Sequence, residues 1–340
     1  MIAIRESSRF PFRGCNVAIP IPFSNGVSVR MCLCDCPPAG SWTRVATILR
    51  LGPMLEAKDE RLRELLKGYG SCLVAYSGGV DSVFLAKVAH EVLGARALAA
   101  IADSASLPRR ELAEAIELGE RFGFPVRVVQ TAEFDNPSYL ANPTNRCYFC
   151  KHALFTELGP LARGEGFAVV AYGENASDLG DHRPGAQAAS EFAVRAPLKE
   201  AGLTKDDIRT LSARLGLPTA DKPQMACLSS RIPTGESVTP EKLRMIEQAE
   251  DFLRGAGFHD VRVRHHQSGS ASLARIELGV AELARFLGGG LHSEVVLRFQ
   301  AIGYLHVTLD LAGYRRGSTN GVSAPQFSSI SLQKRSQPTA

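Results

Sequence analysis

The chain has 340 residues, 45% of them apolar and 22% charged, the proportions of a soluble globular protein with room for one large domain or two ordinary ones. Its formal net charge of +4 arises in the N-terminal stretch: residues 1–53 hold six basic residues against two acidic, and removing these from the 39 and 35 of the whole chain leaves 33 of each. A neutral body gives no electrostatic case for a nucleic-acid partner, no run of 18 apolar residues offers a membrane span, and eight unevenly spread cysteines do not make a disulfide scaffold, so a cytoplasmic location is expected.

Residues 1–53 follow neither a helical nor a strand period and are expected to be a poorly ordered extension, with Met54 the natural start and the upstream stretch a gene-model artefact. Cys32, Cys34 and Cys36 within it match no zinc spacing. From Leu55 an amphipathic helix runs to Gly68–Gly70. The apolar run Cys72–Tyr76 then reads as a buried strand, Ser77–Ser82 as a glycine-rich turn, and Val83–Leu93 as a helix. Ala95–Ala102 reads as a second strand ending at Asp103, Pro108–Phe122 as a helix, and Val126–Val129 as a third strand. Asn145 is the expected cap of a helix carrying Cys147 and Cys150, and Phe167–Tyr172 is a further strand followed by the polar loop that starts at Gly173. Thr204 is the expected cap of a helix reaching Leu215.

This alternation predicts an α/β fold with a parallel sheet, whose ligands sit at the carboxyl ends of the strands, where Ser77–Ser82 and Asp103-Ser104 fall. After an irregular stretch, a helix over 240–254, alternating strands at 261–264 and 273–277, two more helices and a last strand predict a second, smaller α/β domain with a half-exposed sheet. The expected organisation is therefore 1–53 extension, 54–235 first domain, 236–316 second domain and 317–340 disordered tail.

Ser77-Gly78-Gly79-Val80-Asp81-Ser82 behind a strand lacks the third glycine of a dinucleotide fingerprint and the lysine of a Walker motif. Glycines let the backbone approach a ligand, and the helix start presents N–H groups to an anion. The pattern is similar to the PP-loop of ATP pyrophosphatases, an adenine nucleotide α-hydrolase-like fold. The resemblance implies that Ser77, Gly78, Gly79, Asp81 and Ser82 hold the β- and γ-phosphates of ATP, with Asp81 near a Mg²⁺ ion. Asp103 and Gly173 are candidate contacts by their strand-end positions.

Cys147-x-x-Cys150 and the distant Cys227 form the second constellation. Zinc would want a fourth ligand, and His152 sits on a different helix face from the two thiols; a redox pair would leave Cys227 unexplained; a [4Fe-4S] cluster on three thiolates leaves one iron open; three unrelated buried thiols are the plain alternative. Arg231, four residues after Cys227, is a candidate bidentate phosphate donor or else a salt-bridge partner. Glu277 and Asp310 are candidate metal or substrate contacts, Arg262, Arg264 and Arg275 a candidate basic patch, and His265-His266 structural.

Together, Asn145-Arg146-Cys147-Tyr148-Phe149-Cys150-Lys151, Tyr172-Gly173-Glu174-Asn175, Arg195-Ala196-Pro197-Leu198, Leu203-Thr204-Lys205, Ala226-Cys227-Leu228-Ser229-Ser230-Arg231 and Ala274-Arg275-Ile276-Glu277 resemble the LarE family over about residues 55–318. The family's members are ATP-dependent sulfur transferases of nickel-pincer cofactor biosynthesis. The resemblance implies adenylation of a carboxylate of pyridinium-3,5-biscarboxylic acid mononucleotide and its replacement by a thiocarboxylate, in a homo-oligomer. It implies Asp81 and Cys227 as catalytic residues, and Cys147, Cys150 and Cys227 as ligands of a [4Fe-4S] cluster. Cys227 as a sacrificial sulfur donor is the fallback. An RNA-thiolating enzyme remains the alternative from another class, and an amide-forming ligase has no use for the three cysteines.

Overall fold

The computed structural model describes residues 52–178, 184–223, 226–269 and 271–314. Two compact units divide the chain, Met1–Glu60 and Arg61–Ala340; both sheets and the candidate site belong to the second. The expected N-terminal extension, apart from Gly52 and Pro53, and the expected tail lie outside the described residues.

In chain order the longer elements are α1 (Pro53–Tyr69), β1 (Cys72–Tyr76), α2 (Val80–Leu93), β2 (Ala97–Asp103), α3 (Arg109–Phe122), β3 (Val126–Gln130), α4 (Pro137–Leu140), α5 (Arg146–Glu165), β4 (Val169–Tyr172), α6 (Pro184–Glu191), α7 (Pro197–Glu200), α8 (Lys205–Arg214), α9 (Pro240–Gly255), β5 (Val261–Ser268), β6 (Ala271–Leu278), α10 (Val280–Gly288), α11 (His292–Ile302) and β7 (His306–Leu309).

The first four strands form a parallel sheet in the order β3-β2-β1-β4. β1 is apolar at every position because strands flank it on both sides, and all five of its residues are buried. β3 is the edge strand, and its residues are only half-buried or exposed. Registers of Tyr76 with Ile101, Ala75 with Tyr172 and Asp103 with Gln130 align the carboxyl ends of all four strands. Ser77, Ser104, Thr131 and Gly173, each the first residue past a strand, therefore meet along one edge of the sheet.

α8 starts as its sequence says. Thr204 Oγ1 accepts from Asp207 N at 3.2 Å and Asp207 Oδ2 accepts from Thr204 N at 3.0 Å, a complete capping box. Asn145 behaves otherwise: at φ −95° and ψ 20° it leaves the extended region a capping residue occupies, and its side chain caps nothing.

The second sheet has the order β5-β6-β7, with β5 antiparallel and β7 parallel to β6. One face carries Val261, Val263, Ala274 and Ile276 into a core with Leu253 of α9 and Phe299 of α11. The other face is not exposed as the alternation predicts. Arg264 and Glu277 are buried there as an ion pair at 2.9 Å, and Arg264 Nη1 donates to Ser230 O at 3.0 Å. A further apolar cluster joins Tyr139, Leu228 and Ile232 to Val238, Leu243 and Ile246, so the core runs across the expected boundary at residue 235.

Candidate active site

The turn after β1 is built around Gly78, whose φ of +70° favours glycine and whose Cβ, were it present, would lie 2.9 Å from Ala115 Cβ of α3. Ser82 Oγ closes the turn: it accepts from Ser77 N at 3.1 Å and donates to Gly79 O at 3.1 Å. α2 starts at Val80 with no side chain capping it, so its first N–H groups and its dipole face the open end of the turn. An anion fits there.

Asp81, in the first turn of α2, pairs with Lys205 Nζ at 2.6 Å, and Lys205 is the first residue of the capped α8. The loop after β4 presses on the same carboxylate. A Cβ on Gly173 would stand 3.1 Å from both Asp81 Cβ and Ser82 N, so a larger residue there would press on the turn.

A cavity of about 790 Å³ opens over the strand ends, within the usual size of ligand sites. Ser77, Gly79, Asp81, Ser82 and Gly173 line it, and so do Cys147, Cys150 and Cys227. The phosphate-type turn and the three thiols thus share one chamber.

The first two thiols come from the first two turns of α5, and Cys227 precedes a 3₁₀ turn at Leu228–Arg231. That turn is fastened to the loop after β2: Leu228 N donates to Ser106 O at 2.8 Å, and the hydroxyls of Ser106, Tyr139 and Ser229 form a buried triangle with edges of 2.5, 2.7 and 3.0 Å. Arg146 links the two thiol-bearing segments. Its guanidinium donates to Asn142 Oδ1, to Ser229 O at 3.0 Å and to Cys227 Sγ at 3.8 Å.

Burial pushes the Cys150 thiol up to about 12, with the charges of Cys227 and Glu133 adding to the shift. Cys147 presents part of its surface to solvent, yet the protein crowding its thiol, and then the charge of Cys227, push its pKa up as well. As donors, three thiols on one wall suit iron. As placed, they do not converge: among the described residues no group of three or more His, Cys, Asp or Glu is arranged to hold a metal ion.

Several expected site residues lie elsewhere. Arg231 is fully buried and off the cavity wall, its guanidinium spent on Glu250 at 2.9 Å and on Cys227 O at 2.9 Å, so it shapes the Cys227 turn and offers no fork to a phosphate. Asp103 ends β2 as expected but also stands off the wall. Hydrogen bonding from Arg109 holds its carboxyl below the usual range, and Gln130 adds to this at 3.2 Å; Ser104 and Ser106 face the cavity in its place. Gly78 shapes the turn from beneath without lining the cavity. Glu277 is buried between Arg264 and Arg275 at 2.9 and 3.0 Å, and Asp310 lies 3.9 Å from Arg275; both serve ion pairs. Arg262 and Arg264 are buried, so no exposed basic patch forms, and His152 packs against the Tyr148 and Phe192 rings.

Sequence reasoning missed Arg146, Lys205, Thr131 and Glu133 as site residues. The first two stand out in the sequence only as parts of longer motifs. Thr131 and Glu133 follow β3, and the strand-end rule that found Asp103-Ser104 would have found them too.

No family model matches the chain. It is similar to an uncharacterized protein of Synechocystis sp., 48% identical over 269 residues that make up 79% of this chain and 99% of that protein. It is also similar to the pyridinium-3,5-bisthiocarboxylic acid mononucleotide synthase of Lactiplantibacillus plantarum, 35% identical over 268 residues, 78% of this chain and 95% of the synthase. More distantly, it is 27% identical to one subunit of the glutamine-hydrolysing GMP synthase of Methanopyrus kandleri, over 58% of this chain and 66% of that protein. A parallel sheet with a Ser-Gly-Gly-x-Asp-Ser turn after its central strand is the architecture of a PP-loop domain. The chain belongs to the LarE family, that of the Lactiplantibacillus synthase.

Proposed function

We propose that the chain is a cytoplasmic, ATP-dependent sulfur transferase that converts a carboxylate of pyridinium-3,5-biscarboxylic acid mononucleotide to a thiocarboxylate. The observation that supports this reading is the single chamber lined by both the Ser77–Ser82 turn and Cys147, Cys150 and Cys227.

In this reading the uncapped start of α2 and the hydroxyls of Ser77 and Ser82 receive the β- and γ-phosphates of ATP. Asp81 would hold the Mg²⁺ that accompanies ATP and neutralises its phosphates, and Lys205, which pairs with Asp81 at 2.6 Å, would be within reach of the same phosphates. A substrate carboxylate oxygen attacks the α-phosphorus and pyrophosphate leaves. The acyl adenylate that results is open to a sulfur nucleophile at the thiol wall, and AMP departs. Cys147, Cys150 and Cys227 would hold a [4Fe-4S] cluster, which when bound supplies an exchangeable sulfide at its open iron. The thiols, which do not converge as placed, would have to come together for this.

The placement of Cys227 favours a second reading of the sulfur source. Its thiol is exposed on the chamber and hydrogen-bonded by Arg146, as an attacking thiolate would be. Attack on the acyl adenylate would give a thioester and AMP, and elimination across Cα–Cβ would release the thiocarboxylate and leave dehydroalanine. Anaerobic purification with iron and sulfide analysis of wild type and Cys147→Ala separates the two. The cluster reading expects iron and a broad brown absorbance that the variant loses. Iron-free wild type that transfers one sulfur and then loses mass at Cys227 overturns it.

A further inference from the structure

Beyond β3 the chain runs through Thr131 and Ala132 into a 3₁₀ turn at Glu133–Asp135. Thr131 Oγ1 and Glu133 Oε2 are both buried, neither has a hydrogen-bond partner among the described residues, and their residues both line the chamber. Glu133 as a whole is 1% exposed. Its other oxygen is occupied, accepting from Ser104 Oγ. Among the described residues no Lys, Arg or His pairs with this carboxylate. A buried carboxylate oxygen that lacks a donor is strongly disfavoured unless a ligand supplies one, and an ionised carboxylate can only accept. The missing partner is therefore a cation or a hydrogen-bond donor that enters through the chamber.

We propose that Thr131 and Glu133 form the subsite for the positively charged ring of a pyridinium mononucleotide, an inference that rests on the sulfur-transfer reading above. Position separates this ring from ATP. The phosphate-type turn follows β1, while Thr131 follows β3, two strands away in the order β3-β2-β1-β4. The chamber beside Glu133 is instead its thiol end, since the 3₁₀ turn that carries Glu133 packs on α5, and Phe134 of that turn shares an apolar cluster with Cys150 and with Leu228, the residue after Cys227. In a 3-carboxylated pyridinium the charged nitrogen is two bonds from the ring carbon that bears the carboxylate. A substrate that offers this carboxylate to the thiols brings its cation alongside Glu133. The same negative charge repels the substrate's own phosphate and carboxylates, and so sets which way round the ring enters.

Calorimetric titration of the full chain with nicotinic acid mononucleotide, with its reduced dihydropyridine form, and with a non-hydrolysable ATP analogue tests this. Wild type is expected to bind the oxidised, cationic ring at least about tenfold more tightly than the neutral reduced ring, and Glu133→Gln to lose that preference, the scale seen when one partner of a buried charge pair is removed. Binding of the ATP analogue should be unchanged in the variant. Thr131→Val, which keeps the shape, should weaken the cationic ligand by a smaller factor. If Glu133→Gln and Thr131→Val, both melting like wild type, keep the preference, or if the loss falls on the ATP analogue, the subsite assignment is wrong. Wild type that binds neither pyridinium form overturns the substrate reading itself, and this inference with it.

Discussion

Arg146 reaches the sulfur of Cys227 at 3.8 Å although 81 positions separate them in the chain, and in doing so it ties the first turn of α5 to the turn that opens at Leu228. The guanidinium is fixed from two further sides by Asn142 and Ser229 O. Arg146→Gln should therefore lower sulfur transfer by about 10- to 100-fold, the loss of a charge-assisted hydrogen bond, while pyrophosphate release stays near wild type. Parallel assays of pyrophosphate and of thiocarboxylate decide it; equal losses in both would show that Arg146 acts on ATP instead.

The Asp81–Lys205 pair makes the complementary prediction. Asp81→Asn keeps the shape but removes the charge that, in the proposed reading, would face a metal, and pyrophosphate release should fall by about 10²- to 10³-fold, as when a preorganised electrostatic contact is lost. Lys205→Met should release Asp81 and raise the KM for ATP. Wild-type pyrophosphate kinetics in Asp81→Asn would remove Asp81 from the mechanism.

Arg231 tests the distinction between a ligand and a scaffold. Its pair with Glu250 is completely buried, and Glu250 also accepts from Val263 N at 3.1 Å and Arg254 at 3.0 Å. Arg231→Met leaves that buried carboxylate with only Arg254 and Val263 N as partners and should cost about 1.5–3 kcal/mol of stability in urea unfolding, the range for a hydrogen bond to a charged group. Affinity for an ATP analogue, measured below the transition, should not change. A variant of normal stability with weak nucleotide binding would restore the phosphate role.

His265 sets a pH dependence on the second sheet. It is fully buried beside the Tyr304 ring at 5.5 Å, and burial lowers its pKa to about 4 from an ordinary 6.5. The folded state keeps the ring neutral where the unfolded chain already binds a proton. Stability is thus unaffected above pH 6.5 and declines as the pH falls from 6.5 towards 4, on the order of 1–3 kcal/mol over that window. His265→Leu should melt with a smaller pH dependence across this range; identical slopes for the two proteins would exclude the effect.

The first sheet was legible because β1 and β2 are short apolar runs buried on both sides and because the turn between β1 and α2 signals itself through glycines. Thr204 was legible as a cap because its partner Asp207 lies three residues on. What escaped depends on distant pairings. The alternation at 261–264 placed Arg264 on the far face of its strand correctly, but its burial there depends on Glu277 and on Ser230 from another segment. Arg231 reads in the sequence equally as a phosphate fork or a salt-bridge partner, because nothing local announces Glu250, nineteen residues away, as its buried partner. Asn145 failed as a cap for a local reason, since residue type proposes a cap and backbone dihedrals decide it.

The hydroxyl triangle of Ser106, Tyr139 and Ser229 anchors the Cys227 turn entirely through atoms other than sulfur. A chain whose thiols are stripped of a bound group, or whose Cys227 has been spent, keeps its fastening. Under the proposed sulfur transfer, spending Cys227 and unfolding would therefore be separate events, because the triangle would hold the turn in place without the sulfur. A thermal melt alone would not reveal how much of a preparation can still deliver sulfur.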